Sequence, residues 1–226
     1  MRESERRPRT RARVVRTVLG GWRLALAIVE VVAIVANFTY VLGFSAFGVS
    51  NFFCYFTIMT AIATVPTLVA SGVFALRRPV EPRALAMLRT VVLTHLLLSG
   101  LVFGIIVSQA STRDYRIEVP WSDQLLHFLI PVLVLADWLV DRFAGPLAVA
   151  LPWRTVLWAI PFPTVWLAFT LWRGQAVGWY PYFFLDPAQV SGPWEIAMYC
   201  AAVLVIIMSM TGALVWASRA RCLRPA

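Results

Sequence analysis

Two side chains in this sequence have the chemistry to cleave an acyl bond, and both are embedded in apolar sequence. His127 lies within W-S-D-Q-L-L-H-F-L-I-P-V-L-V-L, and Thr57 follows the aromatic run N-F-F-C-Y-F. A hydroxyl is a weak nucleophile at its free pKa and needs an adjacent base; a histidine beside Thr57 would supply that minimum. Asp123 stands four residues before His127. One helical turn away, its carboxylate would be placed to fix the imidazole tautomer and stabilise the protonated ring, the orienting role in a nucleophile, base and acid set. The same residues also read as a helix cap at Ser122 or Asp123 followed by an unrelated histidine.

Positioning such a set is the task of the surrounding elements, and composition says what they are. The 226 residues are 60% hydrophobic and only 14% charged, with a mean hydropathy of +0.76. No soluble domain of this size has that balance. A membrane span needs roughly 20 mostly apolar residues, and six such stretches are expected: Gly20 to Phe44, Ser50 to Leu76, Leu88 to Ala110, Ser122 to Asp141, Thr155 to Trp172, and Glu195 to Ser218. The connections are too short for a soluble domain. The expectation is an all-α polytopic membrane protein, with a six-helix transmembrane domain over residues 20–218 between basic tails at 1–19 and 219–226.

All 20 basic residues are arginines, and 17 of them fall on one side of this arrangement, against Arg113, Arg116 and Arg173 on the other. Cytoplasmic loops collect positive charge, so both termini are expected in the cytoplasm and the chain in a cell membrane, the lack of lysine hinting at a bacterial one. The net charge of +9 surrounds spans and has no nucleic-acid-reading motif about it; anionic headgroups are the expected partner of the first 16 residues. Glu3, Glu5 and an overlong apolar run argue against a removable targeting peptide. Cys54, Cys200 and Cys222 have no paired spacing that would suggest a disulfide framework or a metal site, and no cofactor is expected.

Polar residues at helical spacing mark faces that turn into the bundle. Arg23, Glu30 and Asn37 recur every seven residues, and Ser50, Thr57, Thr60, Thr64, Thr67 and Ser71 keep one sector of the second span. The hydroxyls beyond Thr57 read as interhelical packing and hydrogen bonding. Glu30 would lie near mid-membrane, where it must be protonated, paired or hydrated, and His95 is its expected partner at similar depth. Asp137 and Asp141 are placed to pair with arginines. At 1.5 Å rise per residue, Thr57 and His127 each lie roughly 8–10 Å below the outer boundary, with His95 about 12 Å deeper; one metal shared by both histidines is not expected.

N-F-F-C-Y-F-T at Asn51 to Thr57, L-L-H-F-L-I-P-V-L-V-L-A-D-W at Leu125 to Trp138, and G-W-Y-P-Y-F-F-L-D at Gly178 to Asp186 resemble the bacterial Pr-six-Pr family of membrane proteins. That family in turn resembles the animal androgen-induced-gene hydrolases, which cleave fatty acid esters of hydroxy fatty acids with an intramembrane threonine and histidine. The resemblance covers approximately Gly20 to Ser218 and implies Thr57 as nucleophile and His127 as base. It also aligns Tyr180, Pro181, Leu185 and Asp186 with an aromatic segment of the family. The chain departs from the animal pattern at Gln124, where those proteins carry another histidine, and in an interval from His127 to Pro131 that is one residue shorter.

The functional expectation is an integral membrane hydrolase of lipid esters, with Thr57, His127 and Asp123 as its catalytic residues and membrane lipids around it. The segment from Arg173 to Trp194 would cover the site or serve as a passive interfacial anchor. The competing reading is a non-enzymatic membrane protein, a small transporter or a lipid-binding subunit, whose polar stripes only hold helices together. Pro161 and Pro163 are placed to break the fifth span.

Overall fold

In hydrocarbon every backbone polar group must be satisfied internally, which restricts a spanning chain to helices or closed barrels. The computed structural model describes the backbone of residues 3–44, 48–78, 80–112, 118–144 and 149–220. Six helical spans in it are long and apolar enough to cross a membrane: Arg13–Leu42, Phe56–Arg77, Arg83–Gln109, Trp121–Phe143, Thr155–Val177 and Pro193–Arg219. The protein is an all-α, six-span integral membrane protein. Arg2, Arg113, Arg116, Arg221, Cys222 and Arg224 lie outside the described residues.

The helices are α1 (Glu3–Leu42), α2 (Val49–Phe52), α3 (Phe56–Arg77), α4 (Arg83–Thr112), α5 (Trp121–Gln124), α6 (Ile130–Ala144), α7 (Thr155–Trp158), α8 (Pro161–Val177) and α9 (Pro193–Ala220), with a π-helical turn over Leu125–Leu129 between α5 and α6. Several boundaries differ from those expected. Helix α1 is continuous from Glu3, so the basic segment before Gly20 continues the helix of the first span. The second span is interrupted: after α2 the chain turns, Tyr55 is extended at φ −68° and ψ 132°, and α3 starts at Phe56. The fifth span breaks at Ala159 and Ile160, because Pro161 has no N–H to give the carbonyl of Leu157 and suits the first position of a new helix.

Alternating spans return both termini to one side of the bundle. Arg16 donates to the carbonyl of Arg78 there at 2.8 Å, and Arg219 to that of Leu151 at 2.9 Å. The core between them is built from Leu26, Ala33, Ala61, Leu93 and Leu126, all buried. Arg23, Glu30 and Asn37 are buried as their spacing implies, as are Thr57, Thr60, Thr64, Thr67 and Ser71; Ser50 is exposed. Thr64, Thr67 and Ser71 donate to the carbonyls of Thr60, Ala63 and Leu68 of their own helix. The interhelical bonds expected of them are replaced by these because a carbonyl one turn back is always within reach.

The terminal side of the bundle is tied together by buried charges. The Arg23 guanidinium donates to both oxygens of Asp137 at 3.0 Å and to Asp141 at 2.9 Å. Arg89 donates to Asp137 and Asp141 at 2.7 Å each and to Glu81 at 2.9 Å. This links α1, α4, the segment before α4, and α6. Glu30 has no place in it. Its side chain is 0% exposed and neither oxygen meets a hydrogen-bond partner among the described residues. The expected Glu30–His95 pair is not formed: His95 Nε2 donates to the carbonyl of Ala159 at 2.9 Å, and its ring packs against Phe56 and Phe162. Equal depth fixes height in a bundle but not the direction a side chain faces.

Removing one member of a buried ion cluster leaves the others uncompensated and costs about 3–5 kcal/mol. Asp137→Ala should therefore lower the thermal transition of the detergent-solubilised protein steeply. Glu30→Gln, which keeps shape and disrupts no ion pair, should leave it close to wild type. Equal transitions for the two variants would contradict this division of roles.

Candidate active site

The site is built where the broken second span meets the π-helical turn of the fourth. Pro131 has no N–H, so the carbonyl of His127 four residues back loses its α-helical donor. The helix widens over Leu125–Leu129, with the N–H of Ile130 reaching back to the carbonyl of Leu125. Such single π turns recur at functional sites, and this one carries His127.

Helix α4 approaches that turn at Gly100. A Cβ built on Gly100 would lie 2.2 Å from the carbonyl oxygen of His127, closer than any side chain could be accommodated. The close approach brings in the neighbours of Gly100. Phe103 stacks on the His127 ring, with centroids 3.8 Å apart and planes 15° from parallel, and Ser99 reaches Thr57.

Thr57 Oγ1 lies 3.1 Å from His127 Nε2 and 2.7 Å from Ser99 Oγ. The other ring nitrogen, Nδ1, lies 3.0 Å from the backbone carbonyl of Asp123. A carbonyl only accepts, so Nδ1 carries the proton, and in the neutral ring Nε2 presents a lone pair to the Thr57 hydroxyl. Thr57 is 6% exposed and His127 8%.

Thr57, His127 and Asp123 therefore meet in one place. The group of Asp123 at hydrogen-bond distance from the ring is its main-chain carbonyl. Its carboxylate stands 3.8 Å from Nδ1 and takes a hydrogen bond from Asn37 Nδ2 at 2.8 Å. Asn37, singled out only as part of a seven-residue repeat, thus braces the residue that holds the histidine.

Two residues at the site were not identified from sequence. Ser99 is one hydroxyl in the apolar run L-L-L-S-G; the signal for it was its adjacency to a glycine at a helix contact. Tyr182 arrives on the segment between α8 and α9. Gly178 ends α8 in the left-handed region at φ +67°, which glycine adopts without strain, and Tyr180 packs flat against Gly174, leaving no room there for a Cβ. Tyr182 is then lowered onto Tyr55, Trp166 and Phe184. Burial pushes its phenol up to about 12, against the lowering influence of the Thr57 side chain and of the Phe56 and Thr57 backbone beside it. It stays protonated through neutral pH.

These groups line a cavity of about 550 Å³ on the side of the bundle away from the termini. Thr57, Ser99, Asp123, His127 and Tyr182, with Asn37, Tyr55 and Thr164, supply its polar lining, and apolar residues such as Phe52, Leu98, Trp166 and Leu204 make up most of the rest. A few convergent polar groups in an apolar chamber of this size suit a long-chain ligand with one reactive polar group. Among the described residues, no three His, Cys, Asp or Glu side chains stand together as a metal site would require. Compared with family models, with curated proteins and with solved structures, the chain matches none.

Gly100→Ala forces α4 and the π turn apart, and overpacking of this kind costs typically about 1–3 kcal/mol or more. It should lower the thermal transition clearly. Gly104→Ala, one turn on, meets only a Phe128 ring atom at 3.7 Å and should leave it unchanged. Indifference to Gly100→Ala would mean that the two segments do not pack this closely.

Proposed function

We propose that this protein is an integral membrane hydrolase of lipid (fatty acid) esters, with Thr57 as nucleophile and His127 as general base. The observation that carries the reading is the His127 ring bridging two partners. Nδ1 is held by a main-chain carbonyl and Nε2 stands within hydrogen-bond distance of the Thr57 hydroxyl, inside an apolar chamber. The resemblance of the Thr57, His127 and Tyr180–Asp186 motifs to the Pr-six-Pr and androgen-induced-gene families points to the same chemistry and to fatty acyl esters as the substrate class.

In the first half-reaction Thr57 Oγ1 attacks the acyl carbonyl carbon as its proton passes to His127 Nε2. The tetrahedral intermediate collapses by breaking the bond to the leaving alcohol, which takes that proton from His127. In the second, water gives a proton to His127, attacks the threonine ester and releases the fatty acid, and the proton returns to Thr57 Oγ1. One histidine serves as base and acid in turn. We place the arginine-rich terminal side in the cytoplasm and the chamber toward the outer leaflet of a bacterial cytoplasmic membrane. The segment bearing Tyr182 closes over the acyl chain.

The test is hydrolysis of a long-chain p-nitrophenyl ester by the purified protein in detergent. His127→Ala should lower turnover by about 100- to 10,000-fold. Thr57→Ala should abolish most of it, and the double variant should lose little more, because members of one catalytic unit are not additive. Asp123→Asn, which leaves the orienting carbonyl in place, should retain most of the activity. Full activity in Thr57→Ala or His127→Ala would rule the mechanism out.

A further inference from the structure

The reaction above leaves one hydroxyl without a task. Ser99 is 5% exposed, lines the chamber and stands 2.7 Å from Thr57 Oγ1. Two hydroxyls at that distance share one proton between them, and the tautomer of His127 decides whose it is. With Nδ1–H committed to the carbonyl of Asp123, Nε2 is an acceptor, so the Thr57 proton points to His127. The proton between Thr57 and Ser99 is then that of Ser99, which donates while Thr57 accepts.

When Thr57 attacks, this hydrogen bond loses its purpose. Oγ1 gives a lone pair to the acyl carbon and its proton to His127, becoming an ester-type oxygen and a poor acceptor. Negative charge appears on the former carbonyl oxygen, which is bonded to the same carbon and so lies two bonds from Oγ1. A donor already in contact with Oγ1 reaches that oxygen by a small rotation about its own Cα–Cβ bond. In a water-excluded chamber a fixed donor aimed at developing charge is worth far more than in water.

We propose that Ser99 is a catalytic residue, the oxyanion donor of this site: its hydroxyl holds Thr57 in the resting protein and transfers its hydrogen bond to the acyl oxyanion during attack. Ser99 owes its position to the contact at Gly100, the next residue, which leaves the α4 backbone no freedom to withdraw.

The proposal rests on the hydrolase reading, and the experiment separates the two. The burst of p-nitrophenol from a long-chain ester reports formation of the acyl-enzyme, and its rate constant is measured for wild type, Thr57→Ala, Ser99→Ala and Ser99→Thr, with thermal transitions as the control for folding. Loss of one oxyanion donor costs about 100- to 1,000-fold, so Ser99→Ala should acylate that much more slowly. The ester concentration that half-saturates the burst rate and the pH dependence set by His127 should be unchanged, and Ser99→Thr, which keeps the hydroxyl, should recover most of the rate. An undiminished burst in Ser99→Ala, where Thr57→Ala has none, would overturn the role of Ser99 and leave the hydrolase intact. A loss as complete as that of Thr57→Ala would instead make Ser99 the attacking hydroxyl. No ester cleavage by wild type would end both readings.

Discussion

The carbonyl oxygen of His127 occupies the space where a side chain on Gly100 would be, and the geometry of the distal half of the bundle follows from that contact. Pro131 deprives the carbonyl of its helical donor, and the backbone answers with a π turn. Glycine on α4 allows the widened helix to be approached closely enough for weak Cα–H···O contact. Only then can Phe103 stack on the imidazole and Ser99 touch the threonine of a third span. Three spans converge on one point because one residue has no side chain and another has no N–H.

The protein keeps its two polar centres apart. At the terminal side, five buried charges on α1, α4, α6 and the segment before α4 compensate one another. Such a cluster is weak as a source of stability but strongly specifies which helices pair, since any mispairing strands a charge in low dielectric. At the distal side the polar groups in contact with Thr57 are neutral hydroxyls, an imidazole and a phenol. A chamber of that kind tolerates an acyl chain, whereas an ion cluster would repel one. The break before α3 serves the same end. It places Thr57 in the first turn of its helix, beside N–H groups that have no intrahelical acceptor and close to Tyr182.

Much of this was legible in the sequence, for reasons that also explain the failures. Six apolar stretches must become helices in lipid, so the fold follows from composition, and seven-residue repeats such as Arg23, Glu30 and Asn37 mark the buried faces directly. Thr57 and His127 could be matched because parallel spans convert chain position into depth. Depth says nothing of azimuth, and there the reading failed: Glu30 and His95 share a level but face different neighbours. Asp123 draws the eye for its carboxylate, but the group that meets the ring is its carbonyl, which every residue has and no sequence can single out. Nothing in the sequence marks Ser99, since a serine beside a glycine in an apolar span usually serves packing. Its role depends on a contact between α4 and a π turn that emerges only once Pro131 and Gly100 are seen to face the same carbonyl.

The account stands or falls on which oxygen becomes acylated or phosphonylated. Purified wild-type protein treated with a long-chain alkyl fluorophosphonate, digested and mapped by peptide mass spectrometry, should carry a single adduct on Thr57, and that adduct should be missing from His127→Ala. An adduct on Ser99, on Tyr182 or on no residue of the chamber would contradict it.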